Sequence, residues 1–168
     1  ELVRIAIQKE KRIINIYAES RKILRFADVK RLSDSMHEQL FSGTFDDVRI
    51  HMHYTLPIEY SLSKIMSLYS ESLYDELRSE NMLDYHILST SELNIIDESN
   101  TFIIKTVKDR ISSGREHALC KWLKDVFSES FDIDVNVEYS YIEKEMPETD
   151  TDGPAMYEIY DLETMKSF

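Results

Sequence analysis

Apolar and polar positions along this chain of 168 residues follow a plan that occurs twice. Leu93 to Ile96 and Phe102 to Val107 are short apolar runs around the polar cluster Asp97, Glu98, Ser99 and Asn100, which predicts two strands joined by a hairpin turn. Ile111, Ala118, Leu119, Trp122, Leu123, Val126 and Phe127 then recur mostly at spacings of three and four, so they share one face of a helix. Phe131, Ile133, Val135, Val137 and Tyr139 alternate with Asp132, Asp134, Asn136 and Glu138, as a strand with one buried face must. The order is hairpin, helix, strand.

The same order opens the chain. Leu2 to Gln8 and Arg12 to Ala18 flank the turn Lys9, Glu10, Lys11, with Val3, Ile5 and Ile7 on one face of the first strand and Ile14, Ile16 and Ala18 on one face of the second. A basic connection, Arg21 to Arg25, leads to a helix for which Asp28 is the expected N-cap and Val29, Leu32, Met36 and Leu40 the expected buried stripe, with Gly43 placed to end it. Val48, Ile50, Met52 and Tyr54 alternate with Asp47, Arg49, His51 and His53 and complete the first set.

Between the sets, Pro57 announces a long helix whose apolar side, Ile58, Leu62, Ile65, Met66, Tyr69, Leu73 and Leu77, runs to about residue 79. Met82, Leu83, Ile87 and Leu88 predict a short helix before the second set. Asp109, or Ser113 with Glu116 as a capping box, is expected to start the helix of that set. The predicted fold class is α+β: two small related modules of hairpin, helix and strand, with antiparallel sheets and helices packed on one face. The expected division is residues 1–80 for the first module and the long helix, 81–141 for the second, and 142–168 for an acidic linker or tail.

Composition narrows the function classes. Hydrophobic residues at 42% and charged residues at 31%, with no apolar run near the roughly 20 residues that span a bilayer, describe a non-membrane protein. The chain starts almost inside a strand, which reads as an excised piece without a signal peptide, and a lone Cys120 fits a reducing cytoplasm. Net charge is −12, yet residues 1 to 40 hold nine Lys and Arg against six acids. Residues 143 to 168 hold eight acids against Lys144 and Lys166. Phosphate backbones are bound through Lys and Arg, so any nucleic-acid role belongs to the amino-terminal part.

Few residues propose chemistry. His51 and His53 point the same way on a strand, but structural or catalytic zinc takes three or four protein ligands, and an exposed face decorated with histidine is the simpler reading. Ser112 to Arg115 precedes a helix without the glycines of a P-loop. Asp132 with Asp134, and Asp150 with Asp152, read as solvated charge, and Trp122 with Leu123 and Phe127 as core. No catalytic, cofactor or metal residue is assigned. What remains is a surface: the side of the first sheet away from its helix, carrying Arg4, Gln8, Asn15, Tyr17, Arg49, His51 and His53. Tyr17 among these cations can stack a base or anchor a protein partner.

The opening LVRIAIQKEKRIINIYA, the helix VKRLSDSMHEQLF leading to the strand DVRIHMHYT, and the later LNIIDESNTFIIKTV, WLKDVF and FDIDVNVEY give residues 1 to about 141 a likeness to a known family. The chain resembles the amino-terminal, non-catalytic region of PolC, the replicative DNA polymerase III alpha subunit of low-GC Gram-positive bacteria. The resemblance implies paired small domains similar to KH folds and to the polymerase-binding domain of the clamp-loader tau subunit. It implies a cytoplasmic role in DNA replication, with another replisome protein such as a clamp-loader subunit as partner. The parent polymerase's catalytic and exonuclease carboxylates do not occur here, so this segment is expected to lack enzymatic activity and cofactors. A KH-like binder of single-stranded nucleic acid is the alternative, and an unrelated dimerisation module a third reading.

Overall fold

A computed structural model describes residues 1–108 and 112–142. In it β1 (Leu2–Gln8), β2 (Ile13–Ser20), α1 (Phe26–Met36) and β3 (Asp47–Tyr54) form a first unit. α2 (Leu62–Glu80) and α3 (Met82–Thr90) follow, and then β4 (Glu92–Ile96), β5 (Thr101–Val107), α4 (Glu116–Phe131) and β6 (Asn136–Ile142) repeat the first unit's order. Two three-stranded sheets result, ordered β1-β2-β3 and β4-β5-β6. The α+β class and the duplicated hairpin, helix and strand are as the pattern predicts.

The sheets are mixed, where the sequence pattern suggested antiparallel ones. β1 and β2 run antiparallel, as do β4 and β5, but β3 lies parallel to β2 and β6 parallel to β5. The helix between β2 and β3 carries the chain back along the sheet, so the returning strand runs in the direction of the one that entered the helix. Alternation reveals which face of a strand is buried and says nothing of its neighbour's direction.

The two units differ in how much they bury. The large core joins Tyr54, the α2 stripe Leu62, Ile65, Met66, Tyr69, Leu73 and Leu77, Ile87 and Leu88 of α3, Phe102 and Ile104 of β5, and Leu119, Leu123, Val126, Phe127 and Phe131 of α4. The first sheet keeps a small core of its own, Ile14, Ile16 and Val48, with Met36, Phe41, Phe45 and Ile50 against it. Leu32 and Leu40 are exposed rather than part of a buried stripe. α1 instead turns Ser33 inward, where its hydroxyl is buried and donates to the Val48 carbonyl oxygen, and the chain then winds through one π-helical turn, His37–Phe41.

Helix starts differ from the sequence reading in instructive ways. α1 begins at Phe26 without a side-chain cap: the Phe26 N–H donates to Ser72 Oγ of α2 at 3.0 Å, and Asp28 sits in the first turn beside Arg31. Pro57 belongs to a turn closed by Tyr60 N–H on its carbonyl, and α2 starts after Ser61, whose Oγ accepts from Lys64 N–H. Asn81 caps α3 by accepting from Leu83 and Asp84. In α4, Ser113 does not cap; Glu116 Oε2 accepts from Gly114 N–H at 2.8 Å, and Asp109 lies outside the described residues. The predicted last strand is shorter, because Phe131 closes α4 and Asp132, with φ of 54°, turns the chain in the left-handed region before β6. The acidic segment after residue 142, including Asp150 and Asp152, also lies outside the described residues.

Candidate functional site

The parallel register of β2 and β3 sets Asn15 beside Arg49, Tyr17 beside His51 and Glu19 beside His53, while β1 sets Arg4 against Tyr17. Side chains directly across neighbouring strands share a face, so Arg4, Asn15, Tyr17, Arg49, His51 and His53 come together on the side away from α1. The Arg4 guanidinium carbon lies 4.2 Å from the Tyr17 ring centroid, and the His51 ring stacks on Tyr17 at 4.9 Å and 17°. Since β1 and β3 flank β2, Arg4 and His51 reach Tyr17 from opposite sides and cover both faces of its ring.

His51 is fixed further by its Nε2, which donates to Asn15 Oδ1 at 2.9 Å; Asn15 is itself buried. Burial lowers the His51 pKa below the ordinary 6.5, and the Arg49 charge acts in the same direction against an opposing pull from Glu129. The ring is therefore neutral at pH 7 and stacks without adding a third cation. Arg49 is exposed and its Nε donates to Asp47 Oδ2 at 2.8 Å. His53 belongs to a different contact: Nδ1–H donates to the Glu129 carbonyl oxygen of α4 at 3.2 Å, and Nε2 stands 3.6 Å from Asp132 Oδ2. The outward-facing acid of the second unit and the outward-facing histidine of the first thus meet each other.

A cleft of about 1330 Å³ adjoins this face and reaches α2 and α4. Its sheet side offers Arg4, Tyr17, Arg49 and His51, and its helix side offers Glu76, Glu80, Asp125 and Glu129 with Trp122. Sequence patterning assigned Trp122 to the core. It does pack against the core, but its Nε1–H donates to Glu80 Oε2 at 2.7 Å on the cleft rim. Glu76 accepts from the Tyr69 hydroxyl at 2.7 Å, and burial, with Glu80 and Glu129 adding to it, raises its pKa above 4.5. Sequence pattern does not group these acids, because nothing in the spacing of α2 relates it to α4 some fifty residues later.

Gln8 lies on β1 opposite Ile13 and lines the same cleft. Cys120 is half-buried, and burial pushes its thiol pKa up, which disfavours the nucleophilic thiolate. Among the described residues no group of three His, Cys, Asp or Glu is arranged to hold a metal ion, and no helix is long and apolar enough to cross a membrane. Comparison with protein-family models, with curated proteins and with solved structures finds no match to the chain.

Proposed function

We propose that this chain is a non-catalytic docking and positioning region of a bacterial replicative DNA polymerase of the PolC type, and that the face built on Arg4, Tyr17, Arg49 and His51 engages another replisome protein. The observation that carries the reading is the closed stack. With Arg4 on one side of Tyr17 and His51 on the other, neither face of the Tyr17 ring is left for a nucleobase, and single-strand binders depend on such faces. A rigid, hydrogen-bonded platform with a cation at its edge suits the side chains of a protein, which it can meet without first paying ordering entropy. The link to PolC rests on the likeness of the strand and helix segments given above.

The test is a pair of titrations of the 168-residue chain, one with labelled single-stranded DNA at two salt concentrations and one with purified clamp-loader tau subunit. Saturable binding to the protein with weak DNA binding supports docking. Tight DNA binding that falls steeply with salt replaces it with the nucleic-acid alternative.

A further inference from the structure

The opposite side of the first sheet carries a second, unrelated surface. Ile5 pairs with Ile16 and Ile7 with Ile14, so all four side chains share the face on which α1 packs. Ile14 and Ile16 are buried there, whereas Ile5 is 55% and Ile7 52% exposed, with Leu2 and Val3 exposed beside them. The second unit shows how this plan is completed. Its equivalent edge strand, β4, has Leu93 and Ile95 packed against the core that α2 supplies, and Asp97 at its end accepts from Ser63 N–H of α2 at 2.7 Å. β1 has the same position in its sheet and the same apolar spacing, but no second helix among the described residues lies over it.

We propose that the bare apolar side of β1 is a docking site for an acidic amphipathic helix of a partner protein, occupying the place that α2 takes over β4. Charge selects the occupant. Lys9 and Lys11 in the hairpin turn, and Arg21, Lys22 and Arg25 beyond the far end of β2, bracket the strip, and none of these five forms an ion pair among the described residues. A helix of about 15 residues spans the roughly 23 Å of a seven-residue strand, and acids at its ends would meet these cations. Pairing with another strand is disfavoured because the register of β1 shifts between Leu2 and Arg4, and a bulge turns an edge away from further pairing. This site lies on the opposite face from the Tyr17 stack, so it stands or falls independently of the function proposed above.

A fluorescent peptide of residues 61–81, an acidic amphipathic helix that performs this task for β4, serves as the probe. The 168-residue chain is expected to bind it, and to bind a version with Glu71, Asp75, Glu76 and Glu80 replaced by lysine at least about tenfold more weakly. Combined Ile5→Thr and Ile7→Thr substitutions, and separately Lys9→Glu with Lys11→Glu, are each expected to weaken binding about tenfold or more. The turn variant keeps the test open if the threonine variant loses its circular-dichroism signal. Absence of binding, equal binding of the lysine peptide, or indifference to both sets of substitutions would overturn the proposal. So would a dimer, seen by sedimentation equilibrium, that the threonine variant breaks, since a second copy would then own the face.

Discussion

The ring of Tyr54, at the end of β3, stacks on the ring of Phe131, at the end of α4, with centroids 5.2 Å apart and planes 26° from parallel. Tyr69 of α2 closes the group, 6.2 Å from Tyr54 and 5.0 Å from Phe131. All three are buried, so the last residue of the first unit's return strand and the last residue of the second unit's helix share one aromatic cluster. This contact, with His53 on Glu129 and Asp132, fixes the first sheet relative to α4 and so shapes the cleft between them.

Removing the Tyr54 ring should therefore cost far more than removing its hydroxyl. Tyr54→Ala is expected to destabilise the chain by about 3–5 kcal/mol. Tyr54→Phe, which loses only a long bond to the Leu24 carbonyl, is expected to cost about 1 kcal/mol or less. Urea unfolding of both variants, followed by a double-mutant cycle with Phe131→Leu, should give a coupling of about 0.5–1.5 kcal/mol between the rings.

Asp84 on α3 is buried and receives Arg115 in a bidentate pair, with Nη2 to Oδ2 at 2.7 Å. Arg115→Met leaves that carboxylate buried without its cation and should destabilise the chain. Replacing Asp84 by Asn in the same chain should restore much of the loss. Thermal denaturation of the single and double variants checks the order.

Glu76 makes stability fall as the pH rises. Its pKa in the folded chain is raised above 4.5 by burial, so the native state holds this proton more tightly than the unfolded state does. The contribution is complete below pH 4.5 and is lost as pH climbs through the raised value, leaving a carboxylate among Glu80 and Glu129. Glu76→Gln retains an acceptor for the Tyr69 hydroxyl and should stabilise the chain at pH 8, on the order of 1 kcal/mol, with little gain at pH 4. Urea midpoints at the two pH values decide it.

His51 acts in the other direction. Its folded pKa is lowered below 6.5, so the unfolded state takes up a proton first, and stability falls as pH drops from 6.5 towards the lowered value. NMR titration of the imidazole should place its midpoint below 6.5. The fall in stability between pH 7 and pH 5 should be smaller in His51→Gln.

Much of this arrangement was legible in the residues. The inward face of β2 and the grouping of Arg4, Tyr17, Arg49 and His51 follow from period-two alternation, and the hairpins from the polar clusters Lys9 to Lys11 and Asp97 to Asn100 between apolar runs. Strand direction did not, because a strand returning from a helix shows the same alternation whichever neighbour it joins. Helical spacing marks a stripe through Leu32 and Leu40, but it does not show that Ser33 takes the inward position on α1 or that Leu40 falls in a π-helical turn, where the α-helical spacing no longer holds. Alternation extends back through Ile133 to Phe131 and predicts strand there, whereas Phe131 ends α4 and its burial against Tyr54 and Tyr69 is decided by tertiary packing. Alternation predicts the grouping around Tyr17; that Arg4 and the neutral His51 ring cover opposite faces of it depends on strand order.

Reversing one charge on the platform tests the central claim most directly. Arg49→Glu, measured against clamp-loader tau subunit at two salt concentrations, is expected to weaken binding by about tenfold at low salt and by less at high salt, with single-stranded DNA binding weak in both proteins. Unchanged affinity for the protein partner at both salt concentrations would contradict the assignment of this face as the docking surface.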